Sequence, residues 1–269
     1  MSVSRETRVF AVANQKGGVG KTTTTVNMAA ALVQLGYSVL VVDLDPQGNA
    51  STALDVPHLS GIPDVYSALV NGVALADVVA PVTALPGLYC APATIDLAGA
   101  EIDLVSLIAR EHRLKRAIDD YRAAFTAQHG RPLDYVFIDC PPSLGLLTVN
   151  ALVAAGEVLI PIQCEYYALE GLGQLLKIVD LIRSQLNPTL EVSTILLTMY
   201  DARTRLAQDV ANEVRTHFGD RVLSTVVPRS VRVSEAPSHH QTVMQYDPTS
   251  PGALSYREAA RELAEGKQA

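Results

Sequence analysis

Along most of the chain, short unbroken apolar runs alternate with longer stretches in which apolar residues recur every three or four positions, the rhythm of buried strands and amphipathic helices. Val9 to Ala13, Val39 to Asp43, Tyr135 to Asp139, Glu157 to Pro161, Val192 to Thr198 and Val222 to Val227 read as strands, and Leu88 to Ala91 as a short one. Thr22 to Leu35 is predicted helical, with Val26, Ala29, Ala30 and Val33 turned inward. A second helix is predicted over Glu101 to Phe125, with Ile102, Val105, Leu114, Ile118, Tyr121 and Phe125 on its inner side. Others run from about Tyr167 to Leu186, Leu206 to Phe218 and Leu254 to Glu265. Strands rich in Val, Ile and Leu without alternation need cover on both faces, so the pattern predicts an α/β fold with a mostly parallel, doubly wound sheet flanked by helices. Ser51 to Leu88 breaks the rhythm with Pro or Gly at positions 57, 61, 63, 72, 81, 86 and 87, and should form loops around one or two short helices.

The first strand-to-helix junction carries Lys16-Gly17-Gly18-Val19-Gly20-Lys21-Thr22-Thr23. Glycines there let successive backbone N–H groups point into one concavity, and the helix N-terminus adds partial positive charge, so the fold is expected to be of the P-loop nucleoside-triphosphatase type. Lys21 would reach the β- and γ-phosphates of ATP, and the Thr22 hydroxyl would ligate Mg²⁺. The commoner spacing puts a first glycine at position 15, where this chain has Gln15, with Lys16 next to it. Asp139 closes a buried strand before Pro141-Pro142, and in a parallel sheet that carboxyl end lies beside the phosphate loop, where an aspartate meets Mg²⁺ through water. Asp43 closes the second strand, and Asp45 lies two residues on, in the polar loop that follows. Asp45, past the strand end, is the candidate for orienting the attacking water; Asp43 is read as structural.

KGGVGKTTT at 16–24, DLDPQGNAS at 43–51, FIDCPPSLG at 137–145 and VPRSVRVSEAPSHHQ at 227–241 resemble the motifs of the ParA/Soj partition ATPases. The first motif alone marks a wider superfamily with a deviant Walker loop, which includes MinD, the nitrogenase iron protein and the arsenical-pump ATPases. The resemblance implies an ATP-dependent sandwich homodimer in which Lys16 reaches the partner's nucleotide, acting in trans much as an arginine finger does. It also implies that the turn Pro228-Arg229-Ser230 frames the adenine, with Ser230 where the family usually has Asn, so that Pro228 and Ser230 join the nucleotide-binding residues. Soj-like proteins bind DNA non-specifically through C-terminal basic residues, which match Arg203, Arg229 and Arg232 here, and a ParB-type partner with a basic tail stimulates hydrolysis.

Composition modifies this reading only locally. At 269 residues, with 48% hydrophobic and 5% aromatic residues, a single α/β domain over 1–269 is the simplest expectation. The net charge of −7 argues against a uniformly basic nucleic-acid binder. From Tyr200 to Val233, however, six arginines face four acidic residues, which either form one basic edge or simply solvate the surface. Cys90, Cys140 and Cys164 lack metal or disulfide spacing and read as small buried hydrophobes. No long apolar segment or leader pattern is seen, so the protein is expected in the cytoplasm, associated with the nucleoid. With only a short stretch before the first strand, sequence-specific operator binding through a separate domain is not expected. A MinD-like membrane-associated ATPase is the alternative, disfavoured because Arg261 to Ala269 has one large apolar residue and no basic face. A metabolic ligase or reductase on the same scaffold is the third class, disfavoured because no separate substrate motif is seen.

Overall fold

The computed structural model describes residues 6–165 and 168–266. The strands are β1 (Arg8–Val12), β2 (Val39–Asp43), β3 (Ala80–Pro81), β4 (Leu88–Ala91), β5 (Tyr135–Asp139), β6 (Glu157–Gln163), β7 (Glu191–Tyr200) and β8 (Val222–Pro228). The helices are α1 (Lys21–Gln34), α2 (Asn49–Ala53), α3 (Val65–Leu69), α4 (Leu75–Val78), α5 (Ala100–Asp103), α6 (Arg113–His129), α7 (Leu146–Ala154), α8 (Ala168–Gln185), α9 (Arg205–Phe218), α10 (Val231–Glu235), α11 (Val243–Tyr246) and α12 (Pro251–Glu265). The strands join in one sheet, ordered β3-β4-β2-β5-β1-β6-β7-β8. All neighbours run parallel except the two-residue β3, which is antiparallel to β4.

Both faces are covered, as the unbroken apolar strands require. Phe10 and Val12 of β1, Val39 and Val41 of β2 and Phe137 of β5 pack on one side with the buried residues of α1, α2 and α12. The alternate residues Val9, Ala11, Leu40, Val42, Val136 and Ile138 pack on the other with α3, α6, α7, α8 and α9. Since strand side chains alternate, each strand serves two cores at once. The strand order reverses at β1, with β5 on one side and β6 on the other, and at such a crevice a parallel sheet binds ligands.

The predicted strands and most helices are found within one to three residues of their expected bounds, while the Tyr167 start of the third predicted helix lies outside the described residues. One helix is corrected. Glu101 to Phe125 is not continuous: α5 passes into 3-10 turns at 104–106 and 110–112, and α6 begins only at Arg113. Ala109 sits at φ 51°, ψ 38°, a left-handed conformation that a helix cannot pass through. Ile102 and Val105, expected on the inner side, are exposed, whereas Leu114, Ile118, Tyr121 and Phe125 are buried. Pro161, taken as a strand end, lies inside β6, which runs on to Gln163. The missing N–H is tolerated because β1 pairs with β6 only as far as Leu159, and the Pro161 carbonyl accepts from the Asn14 side chain at 2.8 Å. Helix α7, apolar on nearly every side, was not expected. Within the Pro- and Gly-rich interval α3 and α4 are the short helices, and α2 starts just before it.

Candidate active site

The phosphate loop is built by two glycines in left-handed backbone, Gly18 at φ 75° and Gly20 at φ 90°, which turn the chain from β1 into α1. Helix α1 starts with neither a side-chain cap nor an acidic residue in its first turn, leaving its N-terminal N–H groups for an anion. Neighbouring strands hold the loop. Asn14 Oδ1 accepts from Lys16 N at 3.0 Å, and Thr198 Oγ1 donates to the Val19 carbonyl at 2.9 Å. Lys21 is only 7% exposed and its Nζ donates across the loop to the Lys16 carbonyl at 3.3 Å. Burial pulls its pKa down, against the opposing charge of Asp139.

Asp43 and Asp139 are register partners at the ends of adjacent strands, both fully buried. They differ in what surrounds them. Asp43 accepts from Ser51 N at 2.8 Å, Ser51 Oγ at 2.7 Å and Asp45 N at 3.3 Å, which ties the loop after β2 and the start of α2 to the strand. Asp139 Oδ1 accepts from Thr25 Oγ1 at 3.0 Å, while Oδ2 is buried with no partner of good geometry. Burial, and after it the Asp43 charge, pushes Asp139 up to about 8, with the Thr22 and Thr25 hydroxyls opposing the rise. An orphaned buried carboxylate oxygen beside a threonine hydroxyl fits a hydrated Mg²⁺ shared with phosphate oxygens. Among the described residues no three His, Cys, Asp or Glu side chains gather as a protein-only metal cage. Asp45 lies past the strand end, half-buried, and accepts from Gln47 N at 3.0 Å.

Lys16 behaves differently from Lys21. Its side chain is 36% exposed at the rim, and Nζ meets Glu165 Oε2 at 3.0 Å. The other oxygen of Glu165 lies 3.6 Å from Arg229 and also accepts from Gln163. One carboxylate therefore joins the phosphate loop to the turn after β8.

A family profile described as an AAA domain matches residues 7–192. The chain is 51% identical to the sporulation initiation inhibitor protein Soj of Bacillus subtilis (strain 168), over 96% of this chain and 98% of that protein. It is 48% identical to the chromosome partitioning protein ParA of Caulobacter vibrioides (strain NA1000 / CB15N), covering 95% of this chain and 93% of that one. This chain belongs to the ParA/Soj family of partitioning ATPases. Among solved structures it is similar to cobyrinic acid a,c-diamide synthase from Mycobacterium smegmatis, which holds ADP and magnesium; the TM-score is 0.80 at 39% identity, covering 97% of this chain and 95% of that one.

In this ParA/Soj chain Pro228 is the last residue of β8 and Ser230 the N-cap position of α10, with no side-chain cap bond. Arg229 N donates to the Tyr200 carbonyl at 3.2 Å, which brings the turns after β7 and β8 together. Arg203 and Arg229 consequently share one edge of the sheet, and Arg232 follows on α10. Each already faces a carboxylate. Arg203 is bidentate on Asp201 at 2.9 and 2.8 Å, and Arg232 lies 3.2 Å from Glu235 and 3.5 Å from Asp247. Asn14, Thr25, Glu165 and Thr198 were missed as site residues. Thr25, one helical turn after Lys21, was within reach of spacing arguments, whereas Glu165 and Thr198 carry no local signal. All three cysteines are free and buried, and burial raises their thiol pKa, Cys164 to about 11.

Proposed function

We propose that the whole chain acts as one ATP-driven switch for segregating a chromosome or plasmid. Two copies close face to face over two ATP molecules, the dimer holds duplex DNA non-specifically at the nucleoid, and a ParB-type partner resets it by stimulating hydrolysis. The observation that carries this reading is the division between the two loop lysines: Lys21 is buried in the phosphate concavity, while Lys16 stands at the rim where a neighbouring subunit's nucleotide would come.

In this reading the N–H groups from Gly17 to Thr23 and the Lys21 ammonium cradle the phosphates, and the backbone at Val19 and Gly20 sets the curvature. Thr22, with Asp139 through water, would hold Mg²⁺, which supplies charge neutralisation at the β- and γ-oxygens. Asp45, outside the buried pair, orients the attacking water. Pro228 and Ser230 border the base, Ser230 through its free hydroxyl. Lys16, once off Glu165, places a cation on the developing charge in the partner's site, where fixed positive charge lowers the barrier. Hydrolysis without the partner is slow, because a switch that fires alone carries no timing. Apolar residues of α12, including Tyr256, Ala259, Ala260 and Leu263, are committed to the core, and no described helix is long and apolar enough to cross a membrane.

Size-exclusion chromatography tests the reading. Asp45→Ala with ATP should elute as a dimer and with ADP as a monomer, and should retain duplex DNA only with ATP. Lys16→Ala should bind ATP yet neither dimerise nor hydrolyse it. Normal hydrolysis by monomeric Lys16→Ala would remove the trans role.

A further inference from the structure

The segment between β4 and α6 presents apolar residues in two directions. Leu97, Ala100 and Leu104 are buried, yet Ile95, Ile102, Val105 and Ile108 are between 57% and 91% exposed. Exposed aliphatic residues scattered singly are ordinary; four within positions 95–108 form a patch. Residues 95–106 run almost entirely through 3-10 and α-helical turns, so the spacings of seven and three place Ile95, Ile102 and Val105 near one side. Leu59, 79% exposed, is drawn alongside because Ser60 Oγ donates to the Asp96 carboxylate at 3.1 Å.

Within the segment the charge has one sign. Positions 95–108 contain Asp96, Glu101 and Asp103 and no Lys or Arg. These carboxylates accept from neutral donors: Asp96 from Ser60, Asp103 from Tyr66 Oη at 2.9 Å, Glu101 from the Leu146 and Leu147 N–H groups at 2.8 and 3.3 Å. The first cation beyond, Arg110, is paired with Glu111 at 2.8 Å and also donates to the Val105 carbonyl at 2.8 Å, so a guanidinium already neutralised by its neighbour borders the patch at one end. An apolar patch set among uncompensated carboxylates repels DNA and anionic lipid, and against a second copy of itself it would bring like charges together. Its complement is a polypeptide segment that carries lysine or arginine together with apolar side chains.

We infer that the 95–108 face docks such a basic, partly apolar segment of the ParB-type partner and passes the contact to the phosphate site through Glu101. The inference rests on the reading above that this partner stimulates hydrolysis. Glu101 caps the N-terminus of α7, which begins directly after the loop that leaves Asp139. Gly145 makes room for that cap, since a methyl group there would overlap the Glu101 carboxylate. A ligand that moves the α5 turn therefore moves the loop behind Asp139.

The test is ATP hydrolysis by the full chain with Mg²⁺ and duplex DNA, with and without the full-length ParB-type partner. It is paired with fluorescence anisotropy of the partner's labelled basic tail. In Ile102→Ser/Val105→Ser/Ile108→Ser, unstimulated hydrolysis and ATP-dependent dimer elution should match the unsubstituted chain, while stimulation and segment affinity fall by roughly tenfold or more, as for loss of an interface hot spot. Asp96→Asn/Asp103→Asn should weaken binding and flatten its salt dependence. Glu101→Ala should bind the segment normally but respond weakly. Full stimulation and binding in both patch variants would overturn the docking face and leave the partner reading standing, whereas an unsubstituted chain that the partner fails to stimulate would remove both. Loss of the ATP-dependent dimer in the serine variant would reassign the face to a subunit contact. A fully stimulated Glu101→Ala would break the link to Asp139.

Discussion

Two residues apart, Asp43 and Asp45 have different surroundings, because β2 ends at Asp43 and Asp45 lies in the loop beyond it. Asp43 completes β2 and turns inward, where burial pushes its pKa up to about 6 while Ser51 and the Asp45 N–H hold its charged form. Truncating it leaves those donors facing a dry cavity, a loss of roughly 1–3 kcal/mol offset in part by release of a costly buried charge. Asp43→Ala should accordingly melt several degrees lower, whereas Asp45→Ala should melt as the unsubstituted chain does and lose hydrolysis. Equal melting of the two would show that the Asp43 bonds contribute nothing net. The burial of Asp43 was legible in the sequence, because it closes an unbroken apolar strand, whereas Asp45 falls in the polar loop beyond it. Glu165 was not legible: a single charge after a strand has no spacing to interpret, and it meets Lys16 and Arg229 only when β1, β6 and β8 end on the same side of the sheet.

Elements were legible where periodicity and burial agree. The interval from Glu101 to Phe125 looks like one helix because apolar residues recur at helical spacing, but Ile102 and Val105 at its start face solvent and Ala109 breaks the backbone. Helix α7 was hidden by the opposite fault, an apolar surface too uniform to show a period. At the sheet's margin, β8 is an edge strand, and unpaired edges template association. Glu262 of α12 covers it, accepting from Ser224 N at 2.6 Å and Thr225 N at 3.1 Å. Removing this carboxylate in Glu262→Ala should cost roughly 1 kcal/mol. It should also raise concentration-dependent light scattering near the melting point. Unchanged melting and scattering would mean that packing of α12 on β8 protects the edge by itself.

For the molecule as a whole, a net charge of −7 and DNA retention are compatible only if positive charge is concentrated. In the proposed DNA-bound state the edge formed by Arg203, Arg229 and Arg232 would have to provide the concentration, although each guanidinium lies against a carboxylate in the single subunit. Polyphosphate would have to displace or outweigh those partners, and two such edges in the proposed dimer would bind far better than one. Arg203→Ala/Arg229→Ala/Arg232→Ala should keep ATP binding and ATP-dependent dimerisation but lose retention of duplex DNA. The unsubstituted protein's retention should fall steeply with salt. Retention unchanged by the triple substitution would move the DNA surface elsewhere.

By itself the sequence determined the strands, the glycine loop, its two lysines and the aspartates at strand ends, because each depends on residues close together in the chain and on the periods of helix and strand. Only the tertiary structure decided which oxygen of Asp139 is left without a donor, that Glu165 joins Lys16 to Arg229, and that apolar side chains near Ile102 face outward. Those outcomes depend on which strands end side by side and which helix faces are already covered. No local period encodes them.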